Sequence, residues 1–133
     1  MQSTFVLAER PMEEVLQKLR KGLPAAALDQ VAEALGISVT TLAKKLGIAP
    51  RTLSRKQSHG APLSLEASEK VLRVARVRNL GRALFTTDEA ISSWLSKPDS
   101  ALGNAAPFDL LDTELGAREV ENLLRALAYG HFV

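Results

Sequence analysis

The sequence predicts an all-α protein in which an N-terminal helix-turn-helix bundle is continuous with a smaller C-terminal helical domain. Apolar residues recur at intervals of three and four along nearly the whole chain, and no stretch shows the convincing alternation of a half-buried strand. Prolines precede and glycines follow several of these stretches, which is the asymmetry expected of helix ends. With 133 residues, the chain can form one domain or two small domains that share a core.

The N-terminal third is predicted to contain two short amphipathic helices. Pro11 opens the first and Gly22 closes it, whereas Pro24 opens the second and Gly36 follows it. Two further compact helices are predicted within residues 38–58. These four helices belong to a predicted N-terminal region of residues 1–62, and residues 63–133 form the predicted C-terminal domain.

The C-terminal half is predicted to contain a long helix, a shorter helix, a loop and a final helix. The long helix spans about 64–84, and a capping box from Thr86 to Glu89 opens the next one. A loop follows over 97–106, and the last helix runs from Gly116 to Tyr129, with Gly130 as its left-handed cap. In the long helix, the residues predicted to enter the core are Leu65, Val71, Leu72, Ala75 and Leu80, and those predicted to face water are Arg73, Arg76 and Arg82.

Composition narrows the class of protein. Hydrophobic residues make up 46% of the chain and charged residues 24%, as in a packed globular protein. The absence of cysteine excludes disulfides and thiolate chemistry. The N-terminal sequence does not resemble a signal peptide, and no stretch approaches the roughly 20 apolar residues of a membrane span. We therefore expect a cytoplasmic protein that is not bound to a membrane.

The charges are distributed unevenly along the chain, although the formal net charge is only +2. Residues 34–65 contain five basic residues and no acidic one, and residues 66–82 carry a net charge of +3. From Ala83 onward, eight acidic residues face three basic ones. The N-terminal part therefore suits a polyanion, and the C-terminal part does not.

The strongest local motif is the segment 41–55, which has the spacing of a helix-turn-helix. Ala43 is small where two helices would cross, Gly47 permits a tight turn, and Pro50 lies near the start of the second helix. Exposed guanidinium, ammonium and hydroxyl groups on such a unit can bind base edges and phosphates in the major groove. The alternative is a helical hairpin with a solvated basic face. The residues predicted to bind DNA are Thr40, Lys44, Lys45, Arg51, Thr52, Ser54, Arg55 and Lys56.

Beyond this motif, residues 65–73 resemble the start of the second half of Xre/MbcA/ParS-type antitoxins. Further blocks that resemble the family follow in the same order as in its members. The resemblance covers roughly residues 36–133, so that the first 35 residues are interpreted from periodicity alone. Asn104 stands where the family often has a second glycine after Gly103. The matching blocks are residues 90–95, 101–103, 107–113, 116–120 and 129–130.

The resemblance implies the antitoxin of a type II toxin–antitoxin system, with an Xre-like helix-turn-helix that binds operator DNA and represses its own operon. The usual partner in the family is a RES-domain toxin, which resembles ADP-ribosyltransferases and consumes NAD. The antitoxin forms a homodimer, covers the toxin's active site, and needs no cofactor or small-molecule substrate of its own. The residues that the resemblance assigns to toxin binding are Trp94, Leu102, Gly103, Asn104, Phe108, Leu111, Gly116, Ala117, Tyr129, Gly130, Phe132 and Val133.

Physical reasoning leaves alternatives open for several of these residues. Trp94, Phe108 and Leu111 also suit the core, because large apolar residues are mostly buried. Phe132 and Val133 follow the helix-ending glycine, and could anchor a partner or fray as a chain end. Residues 11–35 are expected to contribute to self-association, because short amphipathic helices need a surface to pack against.

An enzyme site cannot be assembled from this sequence. His59 and His131 lie in no metal-ligand spacing, and no glycine-rich phosphate loop is present. Asp112 and Glu114 precede a helix, where carboxylates favour the positive end of the helix dipole. The rival functions are therefore also binding functions. One is a freestanding Xre-like repressor without a toxin, and the other is a protein-interaction module that has lost DNA affinity.

Overall fold

The computed structural model describes residues 3–51, 53 and 60–130, and this part of the chain is helical without a strand. The predicted all-α class is therefore confirmed. Two short 3-10 helices, Ser100–Leu102 and Pro107–Leu110, lie between the last two α-helices. The α-helices are α1 (Thr4–Leu7), α2 (Met12–Lys21), α3 (Ala26–Leu35), α4 (Val39–Lys45), α5 (Leu65–Arg82), α6 (Asp88–Ser96) and α7 (Glu114–Ala128).

Helix α1 is not predicted by the sequence, because four residues are too few to show a period. The Ser3 side chain caps it by accepting a hydrogen bond from the Phe5 amide. Thr4 is buried, and both its amide and its hydroxyl donate to the Gln30 side-chain oxygen, at 3.0 and 2.6 Å. Tertiary hydrogen bonds to α3 therefore hold this short helix in place.

Helices α2 and α3 confirm the boundaries predicted from proline and glycine. Pro11 occupies the N-cap of α2 and Gly22 its C-cap. Gly36 caps α3 in the left-handed conformation, with φ of 67°. Two residues before α3 begins, Pro24 sits in the linker, as expected of a residue that cannot continue a preceding helix.

Helix α5 is the central helix of the fold, and α1, α2, α3, α6 and α7 all pack against it. Its predicted core residues Val71, Leu72 and Ala75 are buried, and Leu80 packs partly buried against them. The prediction was wrong for Leu65, which is 49% exposed because it lies in the first turn, before the buried stripe begins. It was also wrong for Arg73, which is only 7% exposed.

The caps of α6 and α7 correct two further predictions. Thr87, and not Thr86, caps α6, and its hydroxyl accepts from the Ala90 amide at 3.1 Å. Helix α7 begins at Glu114, two residues before the predicted start, because Thr113 caps it by accepting from the Gly116 amide. Gly130 follows α7 with φ of 69°, which confirms the predicted left-handed residue.

One hydrophobic core extends through both halves of the chain. Helix α6 packs against α3 as well as α5, and the Ser92 hydroxyl donates to the Leu35 carbonyl at 2.8 Å. The helix-turn-helix region and the C-terminal helices are therefore held in a fixed relation. A functional boundary between residues 62 and 63 stays a prediction.

Candidate functional site

The helix-turn-helix begins with α4, which Ser38 caps by accepting from the Thr41 amide at 3.0 Å. Leu42 and Ala43 are buried on its inner face, as the predicted helix crossing requires. Gly47 has φ of 72°, and a Cβ there would lie 3.6 Å from Nζ of Lys70, which is an ordinary van der Waals contact. Backbone conformation, and not crowding, therefore explains this glycine.

The second helix of the motif starts at the predicted place. Residues 50, 51 and 53 are helical, and Leu53 is 6% exposed, so that it anchors this helix to the core. Thr40, Lys44, Lys45 and Arg51 are exposed, as a DNA-contacting surface requires. Four other residues predicted to bind DNA lie outside the described residues, namely Thr52, Ser54, Arg55 and Lys56.

Lys45 makes a contact that the sequence does not reveal. Its Nζ lies 2.6 Å from Oδ1 of Asp109, which is 64 positions further along the chain. The same ammonium group lies 5.9 Å from the centre of the Phe108 ring. The candidate DNA-binding helix therefore touches the 3-10 helix Pro107–Leu110 of the C-terminal half.

Residues 99–105 of the C-terminal half form a hydrogen-bonded turn. The Asp99 amide donates to the Ala105 carbonyl at 3.1 Å, and the Asp99 carbonyl accepts from the Asn104 amide at 2.9 Å. Gly103 and Asn104 are both exposed and left-handed, with φ of 66° and 65°. Asparagine tolerates this region better than other side chains, so that Asn104 keeps the backbone that a second glycine would adopt.

Several residues assigned to toxin binding lie inside the C-terminal half. Phe108 is 6% exposed, and Leu111 and Ala117 are fully buried. Gly116 packs so closely against the Leu110 carbonyl that no Cβ fits there without a backbone shift. These side chains form the base that supports the surface, and a partner cannot reach Phe108, Leu111 or Ala117 in this conformation.

Other assigned residues are more accessible. Trp94 and Leu102 are half-buried, and the Trp94 ring lies 6.1 Å from the Phe85 ring. Tyr129 is 75% exposed after the end of α7, and Gly130 is exposed beside it. Phe132 and Val133 lie outside the described residues, as do His59 and His131. Leu115, which no sequence pattern singled out, is 69% exposed in the first turn of α7.

Arg73 links α5 to the segment that precedes α7. Its Nη1 donates to the Leu111 carbonyl at 3.1 Å, and its Nε lies 3.3 Å from Oε2 of Glu114. The guanidinium group thus supplies a hydrogen bond to a carbonyl at a buried position, where an unpaired polar group is costly. Arg73 therefore holds the supporting segment against the central helix.

The charge asymmetry along the sequence is largely compensated in space. Arg78 binds both carboxylate oxygens of Asp88, at 2.9 and 3.3 Å, and Arg82 lies 3.6 Å from the same group. Arg76 lies 3.3 Å from Glu121. The α5 arginines therefore face C-terminal carboxylates, whereas Lys44 and Arg51 of the helix-turn-helix are exposed and have no carboxylate within ion-pair distance among the described residues.

Two known domain families match successive parts of the chain. Residues 14–76 match the antitoxin Xre-like helix-turn-helix domain, and residues 80–130 match the antitoxin Xre/MbcA/ParS C-terminal toxin-binding domain. The chain belongs to the Xre antitoxin family. The two matched domains meet between residues 76 and 80, near the C-terminal end of α5, so that this helix serves both.

Relatives of the family match most of the chain. It is 30% identical to the antitoxin Xre of Yersinia enterocolitica over 89% of its own length and 80% of the relative. It is 33% identical to the "Prs ADP-ribosylating antitoxin" of a Sphingobium species, over 86% of this chain and 77% of the relative. The antitoxin Xre of Pseudomonas putida is 28% identical, over 89% of this chain and 73% of the relative.

Membership of the Xre antitoxin family means that the chain is not an enzyme. Two carboxylates of this half have structural roles. Glu114 lies in the first turn of α7 and pairs with Arg73, and Asp109 pairs with Lys45. In the part of the chain that the structure describes, no helix is long and apolar enough to cross a membrane.

Proposed function

We propose that this chain is the antitoxin of a type II toxin–antitoxin system. It neutralises a cognate RES-domain toxin by covering the toxin's NAD-consuming active site, and it represses its own operon through the helix-turn-helix. The observation that carries the proposal is the match of residues 80–130 to a toxin-binding domain, which shares one core with an exposed basic helix-turn-helix. Operator DNA and toxin would both be met in the cytoplasm.

The toxin-binding surface combines the turn at residues 99–105 with the two ends of α7. Gly103 and Asn104 present a preformed backbone, and preorganised loops lose little entropy on binding. Leu115 and Tyr129 are large exposed side chains on the same domain, suited to fill pockets of a partner. The Sphingobium relative's name supports a toxin with ADP-ribosylation chemistry, which consumes NAD.

Co-expression with the adjacent reading frame tests this function directly. Affinity capture, light scattering and growth of the same cultures are measured for the full chain and for a chain truncated after Ala128. Because α7 ends at Ala128, the truncation removes no buried residue that the structure describes. We expect the full chain to capture one partner stoichiometrically and to restore growth, and the truncated chain to lose both.

Two results would contradict parts of this proposal. If nothing co-purifies and the neighbouring product is harmless alone, the toxin-binding function fails, and a freestanding repressor becomes the better account. If the truncated chain protects as well as the full chain, residues 129–133 do not anchor the toxin. A melting curve of the truncated chain shows whether its fold is retained.

Operator binding should depend strongly on salt. If each protomer of a homodimer neutralises about three phosphates, the slope of log affinity against log salt concentration is roughly −5. Fluorescence anisotropy with a labelled duplex from immediately upstream of the reading frame measures this slope. A slope near zero would remove the DNA-binding function and leave a protein-interaction module.

A further inference from the structure

The contact between Lys45 and Asp109 lies where the two functional halves meet. Lys45 ends α4, the first helix of the helix-turn-helix, and Asp109 belongs to the 3-10 helix Pro107–Leu110 within the toxin-binding match. Their side chains are 42% and 52% exposed, so that both remain within reach of solvent and of a partner. The pair is therefore accessible at the end of the first helix of the helix-turn-helix.

Asp109 supplies Lys45 with the same kind of ligand that DNA would offer. A carboxylate oxygen at 2.6 Å from an ammonium nitrogen resembles a phosphate oxygen in charge and in hydrogen-bond geometry. An ammonium group paired in this way neutralises a phosphate only after it leaves the carboxylate. The unpaired Asp109 would then also repel the DNA backbone.

Lys45 differs in this respect from its basic neighbours. Among the described residues, neither Lys44 nor Arg51 has a carboxylate within ion-pair distance, although both are exposed on the same motif. The carboxylate on Lys45 comes from a distant part of the chain, and the fixed packing of the two halves holds it there. The contact is therefore built by the tertiary fold and not by the motif itself.

We propose that Asp109 acts as an internal substitute for a DNA phosphate, which occupies Lys45 and lowers the affinity of the helix-turn-helix for DNA. This inference rests on the proposed DNA-binding function and adds a regulatory contact to it. A partner that binds the Asp109 carboxylate would free Lys45 to bind DNA, and a substitution that removes the charge of Asp109 would have the same effect. The C-terminal domain therefore acts on DNA affinity through this one ion pair.

The test compares Asp109→Asn with Asp112→Asn, which removes the same charge from an exposed residue three positions further on. Binding of the full chain to the upstream duplex is titrated by anisotropy at several salt concentrations. Asp109→Asn should tighten binding about two- to fivefold beyond the control, which is the range of an exposed ion pair. It should also steepen the salt slope by about 0.9 per protomer, because one more phosphate is neutralised.

Lys45→Met completes the double-mutant cycle. In the Lys45→Met background, Asp109→Asn should raise the affinity for DNA no more than Asp112→Asn does. The salt slope of binding should then be the same with and without Asp109→Asn. The inference would be overturned if Asp109→Asn and Asp112→Asn raised DNA affinity equally in the wild-type background. It would also be overturned if Asp109→Asn still raised DNA affinity beyond the control in the Lys45→Met background. Melting curves confirm that each variant is folded.

The failure of this inference is distinguishable from the failure of the proposed function. If the wild-type chain and all variants leave the duplex unbound at low salt, the DNA-binding function fails and the regulatory contact fails with it. If all of them bind with one affinity and one salt slope, the DNA-binding function stands, and only the roles of Lys45 and Asp109 are lost.

Discussion

Replacing Leu111 by alanine should lower the free energy of unfolding by about 3 kcal/mol. The side chain is fully buried in the hydrophobic core, and its removal leaves a cavity and also loses apolar burial. Urea denaturation followed by circular dichroism measures the effect. Leu111 belongs to the set that the family resemblance assigns to toxin binding, and the expected loss of stability marks it as a supporting core residue.

Leu115→Ala is the matched control, because the same substitution is made four residues away at a side chain that is 69% exposed. Its free energy of unfolding should change by no more than about 0.5 kcal/mol. Its affinity for the captured toxin should fall about tenfold or more if the side chain fills a pocket. These roles would be contradicted if Leu111→Ala left the free energy of unfolding unchanged, or if Leu115→Ala left the affinity for the toxin unchanged.

Replacing Arg73 by methionine should lower the free energy of unfolding by about 2 kcal/mol. Methionine keeps much of the aliphatic stem but leaves the Leu111 carbonyl without its donor, and an unsatisfied buried carbonyl costs about 1–3 kcal/mol. Glu114 is 56% exposed on its side chain, so that water can solvate its freed carboxylate at little cost. Urea denaturation again supplies the measurement.

Arg82→Met is the control for this prediction. Arg82 lies on the same helix and also pairs with a carboxylate, but its side chain is 40% exposed and the pair is 3.6 Å apart. Exposed ion pairs contribute about 0–1 kcal/mol, so that the loss should be well below that of Arg73→Met. If the two variants lost the same free energy of unfolding, the hydrogen bond to the Leu111 carbonyl would contribute no more to stability than an exposed ion pair.

Helix boundaries in this chain are encoded locally, and most of them follow from the sequence. Pro11 and Gly22 bound α2, Gly36 ends α3, and Gly47 permits the turn of the helix-turn-helix. Each of these signals acts within about one helical turn of its own position. The two cap errors, at Thr86 and at the start of α7, are shifts of one and two residues where several polar residues compete for the cap.

Burial of polar and aromatic side chains in the candidate site did not follow from the sequence. Periodicity places Arg73 on α5 but does not show that its guanidinium group donates a hydrogen bond to the Leu111 carbonyl. Likewise, Phe108 and Leu111 suit both a core and a contact surface until the packing of α6 and α7 is known. Leu115 was missed for the same reason, since its position two residues before the buried Ala117 does not show that the fold leaves it exposed.

The sequence by itself determined the all-α class, the helix-turn-helix and the family, because periodicity, caps and ordered motif blocks are properties of neighbouring residues. Only the tertiary structure decided how the opposite charges of the two halves meet. The fold brings Lys45 to Asp109 across 64 positions and places the α5 arginines against C-terminal carboxylates. These ion pairs depend on how the helices pack, because packing brings together residues that are distant in the sequence. No local sequence pattern predicts which residues will meet in this way.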